Sequence, residues 1–173
     1  MNSAPPATPY RVCFVCTGNI CRSPMAASVL VGRAASTSVA GRLEVSSAGT
    51  GPWHAGEPMD KRAADALHRR RYVDHGHVAQ QFDAAGAERL DLIVALDRRH
   101  AETVRGLMAV RKSGRDDDIV LLRSFDPSAG GALDVPDPFY GDAADFDRCL
   151  AMVEAGCLGL LQHLLVSLAP PPR

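Results

Sequence analysis

Lysine is nearly missing from this chain of 173 residues: of 19 basic side chains, 17 are arginine and only Lys61 and Lys112 are lysine. With 20 carboxylates the net charge is −1, so there is no basic field of the kind that gathers nucleic acid or an anionic membrane surface, and neither is expected as a partner. Long apolar runs are absent as well. None approaches the roughly 20 residues that a bilayer span requires. The opening MNSAPPATPY lacks a basic stretch followed by an apolar one, which predicts no secretory signal and a cytoplasmic setting. Cysteine is limited to five, an odd number, which in such a setting predicts free thiols rather than a disulfide framework. Cys13 and Cys16 form a C-x-x-C, but no second such pair and no His pair completes a metal site, and no metal or organic cofactor is implied.

What remains is an ordinary globular composition, 46% apolar, in a length that suits one domain with one core. That domain is expected over residues 10–168, with loose Pro-bearing tails at 1–9 and 169–173. RVCFVC (11–16) is a short β-branched and aromatic run, hence a buried strand. After a loop at 17–22, Ser23-Pro24 reads as N-cap and first helical position of a helix carrying MAASVLVGRAA. LEVSSAG (43–49), LDLIVALD (90–97) and DDIVLLRSF (117–125) read as three further strands. Helices are expected over 61–71, about 98–110 and about 143–168. Gly/Pro-rich loops at 51–59 and 126–142 join them, and 113–120 carries an acidic loop. Strands alternating with helices predict an α/β sandwich on a parallel sheet, in which ligands bind beyond the carboxyl ends of the strands.

The segment CTGNICRS occupies that place. Cys16 ends the first strand. Residues 17–22 wrap backbone N–H groups around one point, with Gly18 and Asn19 tolerating the left-handed conformations this requires. The following helix adds its partial positive end. A thiolate is the form that such dipoles favour, and a cradle that holds a thiolate also holds a tetrahedral oxyanion. Arg22 adds a planar fork for two phosphate oxygens. Nucleophile, cradle and cation together suit attack of sulfur on phosphorus through a phosphocysteine. Taken alone, a cysteine ending a strand is core, and so Cys13, which points to the opposite face, is assigned. Cys149 and Cys157 on the last helix are read as packing, and Arg69, Arg70 and Arg71 as a solvated helix end.

VCTGNICRSPMA, paired with DPFYGD late in the chain, resembles the low-molecular-weight protein tyrosine phosphatases, and in wording the bacterial members. The likeness runs from Arg11 to about His163, through SSAGT, HVAQQF, IVALD and LLRSFDP. It implies a flavodoxin-like three-layer sandwich around a four-stranded parallel sheet in the order 2-1-3-4. It implies hydrolysis of phosphotyrosyl proteins by a monomer or weakly self-associating enzyme, with Cys16 as nucleophile, Arg22 on phosphate and Asp137 as general acid. The residues of the loop, Thr17, Gly18, Asn19, Ile20, Cys21 and Ser23, would bind phosphate. Trp53, His54, Phe139 and Tyr140 would wall a slot for the phenyl ring. Ser23 would donate to the thiolate, Ser47 and His77 would support Asn19, and Asp97 either joins the Arg22 network or caps the helix after it. Cys21 is either a disulfide partner of the nucleophile or an inert thiol. Phe139 departs from the tyrosine common there.

Rivals share the scaffold. Arsenate reductases need two further cysteines, and none lies between Cys21 and Cys149. Protein-arginine phosphatases carry Thr where this chain has Ile20, whose apolar side chain leaves room for a tyrosine ring. A non-enzymatic phosphate-binding module would dispense with Cys16, Arg22 or Asp137, and all three are present, whereas a redox-sensing use of Cys16 and Cys21 is compatible with the enzyme reading.

Overall fold

The computed structural model describes residues 8–111 and 118–169. The expected tails and acidic loop lie outside these, apart from residues 8–9, 118–120 and 169. Four parallel strands form one sheet in the order β2-β1-β3-β4: β1 (Tyr10–Cys16), β2 (Leu43–Gly49), β3 (Leu92–Ala95) and β4 (Ile119–Leu121). The helices are α1 (Arg22–Ala34), α2 (Lys61–Arg69), α3 (Arg98–Arg111) and α4 (Ala143–Ser167). This is the expected α/β sandwich and strand order. β1 lies between β2 and β3 and is covered on both faces, which is why it is apolar at every position from Val12 to Cys16. Val12, Phe14 and Cys16 pack with α1, α2 and α4, whereas Cys13 and Val15 pack with α3. Full burial of a side chain the size of Phe14 stabilises the fold by about 1.5–3 kcal/mol.

Four sequence expectations are corrected. The fourth strand is three residues long, not nine. Past Leu121 the chain coils into a 3-10 turn, Leu122–Phe125, which buries Leu122 under α4. There α4 comes so close that a Cβ on Gly159 would sit 1.9 Å from the Phe125 carbonyl oxygen. Second, α4 is long and apolar enough, by length and composition, to cross a membrane. Here it is a core helix: a capping box built by Asp142 and Asp145 starts it, and Phe146, Leu150, Val153, Leu160 and Leu164 bury against the domain. Third, Arg69 and Arg70 are not simply solvated. They pair with Asp147 and Glu154 of α4, Arg69 at 2.7 Å. Fourth, α1 begins at Arg22 with Cys21 in the cap position, so Ser23 does not cap it. That hydroxyl is engaged elsewhere.

Candidate active site

β1 delivers Cys16 to the carboxyl edge of the sheet, where the connection out to β2 and the return to β3 diverge; this is the switch point at which such folds bind ligands. The loop after it is held by its carbonyls. Cys16 O accepts from Thr50 N–H (2.8 Å), Thr17 O from Gly51 N–H (3.3 Å), Ile20 O from Asp60 N–H (2.8 Å) and Cys21 O from Met25 N–H (3.1 Å). Asn19 O accepts from His77 Nε2–H at 2.6 Å. In a trans peptide the next N–H points opposite to the carbonyl, so tying these oxygens outward turns the N–H groups of the loop inward. Of the two residues expected to take the left-handed conformation, Asn19 does (φ 59°) and Gly18 does not.

Asn19 is the hub behind the cradle. Its Nδ2 donates to Ser23 Oγ and Ser47 Oγ, both at 2.9 Å, and its Oδ1 accepts from Gln80 N–H at 2.9 Å. Ser23 Oγ accepts from Asn19, and its own proton has two acceptors in reach, Cys16 Sγ at 3.0 Å and Ala48 O at 3.4 Å. Asn19, Ser23, Ser47 and His77 stand behind the cradle and do not line the cavity in front of it.

Arg22 is buried with four acceptors around it. Nη1 reaches Asp97 Oδ2 (3.0 Å) and Val135 O (3.1 Å); Nη2 reaches Thr17 Oγ1 (3.2 Å) and Asp137 Oδ2 (2.7 Å). Both readings of Asp97 hold, since its Oδ1 also accepts from His100 N–H at the start of α3.

Motif reasoning missed Gln80, Asp60 and His100. His100, 4% exposed, meets Thr17 Oγ1 through Nε2 at 2.9 Å. An acidic residue three before a histidine at a helix start was the available signal. Burial first, and then the Arg22 charge, push His100 down to about 4, against the opposing pull of Asp97, Asp137 and Asp134. The unfolded chain takes up this proton near pH 6.5, so between about 6.5 and 4 it binds the extra proton and stability falls as the pH drops. His100→Asn is expected to cost about 1–2 kcal/mol near neutrality, from the lost contact to Thr17, and clearly less near pH 5. Urea midpoints at the two pH values check this; a gap that does not narrow contradicts it.

In front of the cradle lies a cavity of about 250 Å³. Cys16, Thr17, Gly18, Ile20, Cys21 and Arg22 form its floor, and Trp53, His54, Asp137, Phe139 and Tyr140 its walls. His54 rests on Gly18, where a Cβ would come within 2.6 Å of its ring, and donates from Nδ1 to Glu57 at 2.8 Å. It tilts against Phe139 at 5.9 Å, and Phe139 meets Tyr140 edge-on at 5.0 Å. Trp53 and Tyr140 form an open rim, 66% and 97% exposed. Burial, and then the Asp60 carboxylate, push the Cys21 thiol up, which keeps it protonated. All five cysteines are free, and Cys13, Cys149 and Cys157 are buried and do not line the cavity.

A thiol at a strand end, a tethered anion cradle, a buried arginine and a carboxyl group in one aromatic-walled slot define a cysteine-dependent phosphatase. The profile of the family described as low molecular weight phosphotyrosine protein phosphatase matches residues 11–168. The chain is 49% identical to a low molecular weight protein-tyrosine-phosphatase of Streptomyces coelicolor, over 88% of this chain and 92% of the relative. It is 45% identical to the low molecular weight protein-tyrosine phosphatase A of Mycobacterium tuberculosis, over 88% and 90%. The crystal structure of YfkJ from Bacillus subtilis superimposes with a TM-score of 0.85 at 29% identity, covering 94% of this chain and 99% of that one. The protein belongs to the low-molecular-weight protein-tyrosine phosphatase family.

Proposed function

We propose that the chain dephosphorylates phosphotyrosyl proteins in two steps, with Cys16 as nucleophile, Arg22 as phosphate clamp and Asp137 as general acid and then base. The observation that carries this is that all three line one cavity with aromatic walls. Cys16 Sγ, as thiolate, attacks phosphorus. The S–P bond forms as the P–O bond to the phenol oxygen breaks, and Asp137 passes its proton to that oxygen, which leaves as the tyrosine hydroxyl. Water then attacks phosphorus and yields a proton to the Asp137 carboxylate. The S–P bond breaks, inorganic phosphate departs, and Ser23 Oγ–H, 3.0 Å away, stabilises the returning thiolate. Asp137 Oδ2 holds Arg22 Nη2 at 2.7 Å, so an incoming phosphate competes for that donor and frees the carboxyl group to turn toward the leaving oxygen.

Ile20 on the floor and the aromatic walls support a phenyl ring rather than a guanidinium as the esterified group. Five free thiols support action in the cytoplasm, and the near-neutral net charge supports a reading with neither nucleic acid nor an anionic membrane as a partner. The test is hydrolysis of phosphotyrosine, phosphoserine and phosphoarginine peptides by the reduced protein, with and without EDTA. Turnover of phosphotyrosine alone, unaffected by EDTA, is expected. A preference for phosphoarginine overturns the substrate assignment, and no turnover of any peptide leaves a phosphate-binding module.

A further inference from the structure

Arg98 and Arg123 hold the part of the acid loop before Asp137, through Asp134, Gly131 and Ala132, and one side chain outside the cavity holds the part after it. Arg62, in the first turn of α2, donates from Nη1 to the Gly141 carbonyl oxygen at 3.1 Å. Its guanidinium lies over two rings, 5.7 Å from the centroid of Phe139 and 4.6 Å from that of Phe146. Asp60 locks the same group in a bidentate pair, Nε to Oδ1 at 3.0 Å and Nη2 to Oδ2 at 2.8 Å. Asp60 also caps α2, accepting from Arg62 N–H at 2.8 Å, and its own N–H holds Ile20 O of the cradle. The Arg62 hydrogen bonds hold the Asp60 carboxyl below the usual carboxylate range. Contacts therefore run without a gap from the phosphate cradle through Asp60 and Arg62 to the loop of Asp137. Neither Asp60 nor Arg62 lines the cavity.

We propose that Arg62, clamped by Asp60, is a positioning residue that sets the Asp137 carboxyl against the cradle and so governs protonation of the leaving group. The inference rests on the role of Asp137 given above. The mechanical link is short: Phe139, under the guanidinium, donates its N–H to Asp137 Oδ1 at 3.2 Å, so a shift of that ring shifts the carboxyl. Displacing a catalytic group by about an ångström suffices to cost an order of magnitude or more in rate.

The test compares two esters in kcat/KM, which reports the steps through P–O cleavage. A phosphotyrosine peptide releases a basic phenolate that needs a proton; dinitrophenyl phosphate releases an anion that does not. Arg62→Met keeps length and apolar contact but loses every donor. Asp60→Asn keeps the helix cap and frees the guanidinium. Each is expected to lower kcat/KM about tenfold on the peptide and less than about twofold on dinitrophenyl phosphate. Inhibition by inorganic phosphate, which reads the cradle, is expected to stay unchanged. In an Asp137→Asn background Arg62→Met is expected to add no further loss on the peptide. Equal losses on both esters, losses that multiply with Asp137→Asn, or unchanged rates overturn the proposal. Failure of the wild type to hydrolyse either ester overturns the reading of the site itself, and the proposal with it.

Discussion

Replacing Cys16 by serine is expected to lower kcat on a phosphotyrosine peptide by about 10⁴-fold or more, with the peptide's dissociation constant within about tenfold of wild type. The substitution is nearly isosteric. Ser23 Oγ, 3.0 Å from the sulfur, accommodates a hydroxyl, and the outward ties of the loop carbonyls do not involve the side chain at position 16. The cradle and Arg22 therefore remain, and with them the affinity for a phosphate dianion. What disappears is an ionisable nucleophile, because a serine hydroxyl gives up its proton far less readily than a thiol, and among the described residues the side chain hydrogen-bonded at position 16 is Ser23, which is no base. Steady-state kinetics together with calorimetric titration of the same peptide separate the two effects. Residual turnover above about one per cent points to a different nucleophile, and loss of binding in parallel with turnover points to a collapsed loop.

Asp137→Asn is expected to reduce kcat/KM for the phosphotyrosine peptide by about 10²–10³ and for dinitrophenyl phosphate by less than about tenfold. The amide keeps the size of the carboxyl and its place beside Arg22, but it neither gives nor takes a proton at working pH. Its Oδ1 still accepts from Phe139 N–H, which preserves the turn of the loop. In kcat, by contrast, both esters suffer, because the water that hydrolyses the phosphocysteine then lacks its base. The same two-ester comparison that tests Arg62 reads this variant. Equal losses in kcat/KM on both esters would place Asp137 in binding rather than in proton transfer.

The floor of the cavity and Asp137 come from one short motif and one loop, and those were legible from the sequence because chemistry restricts them to few residue types. Cys16, Arg22 and Asp137 converge as expected, and so do Trp53, His54, Phe139 and Tyr140. What escaped notice is the layer that holds them. Gln80 meets Asn19 through a backbone N–H, which no side-chain pattern encodes, while its side-chain amide donates to Ser47 O at 3.1 Å. Asp60 and Arg62 read as an ordinary helix start, and their second role appears only once the acid loop folds back against α2. Ser23-Pro24 carries a sound helix-start signal, yet the competing partner was a sulfur seven residues earlier, brought near by the turn of the loop. The IVLL run of DDIVLLRSF reads as strand, and burial of Leu122 beneath α4 overrides that after Leu121. The helical span of α4 was legible, but its function as a core element rather than a bilayer element depends on what covers it.

Asn19 narrows the paths open to this sequence under mutation. Its backbone angle admits few residue types other than glycine, asparagine and aspartate. Glycine would strand the Gln80 amide and release both serines from their donor, in a place no water reaches, since Asn19 is wholly buried. Aspartate would set a second negative charge behind the sulfur, opposing the dianion that the cradle must attract. Each of these two alternatives therefore fails for a separate reason. Drift at this position is closed even though the Asn19 side chain does not line the cavity, whereas the exposed rim at Trp53 and Tyr140 is bound by no such geometry and is free to change.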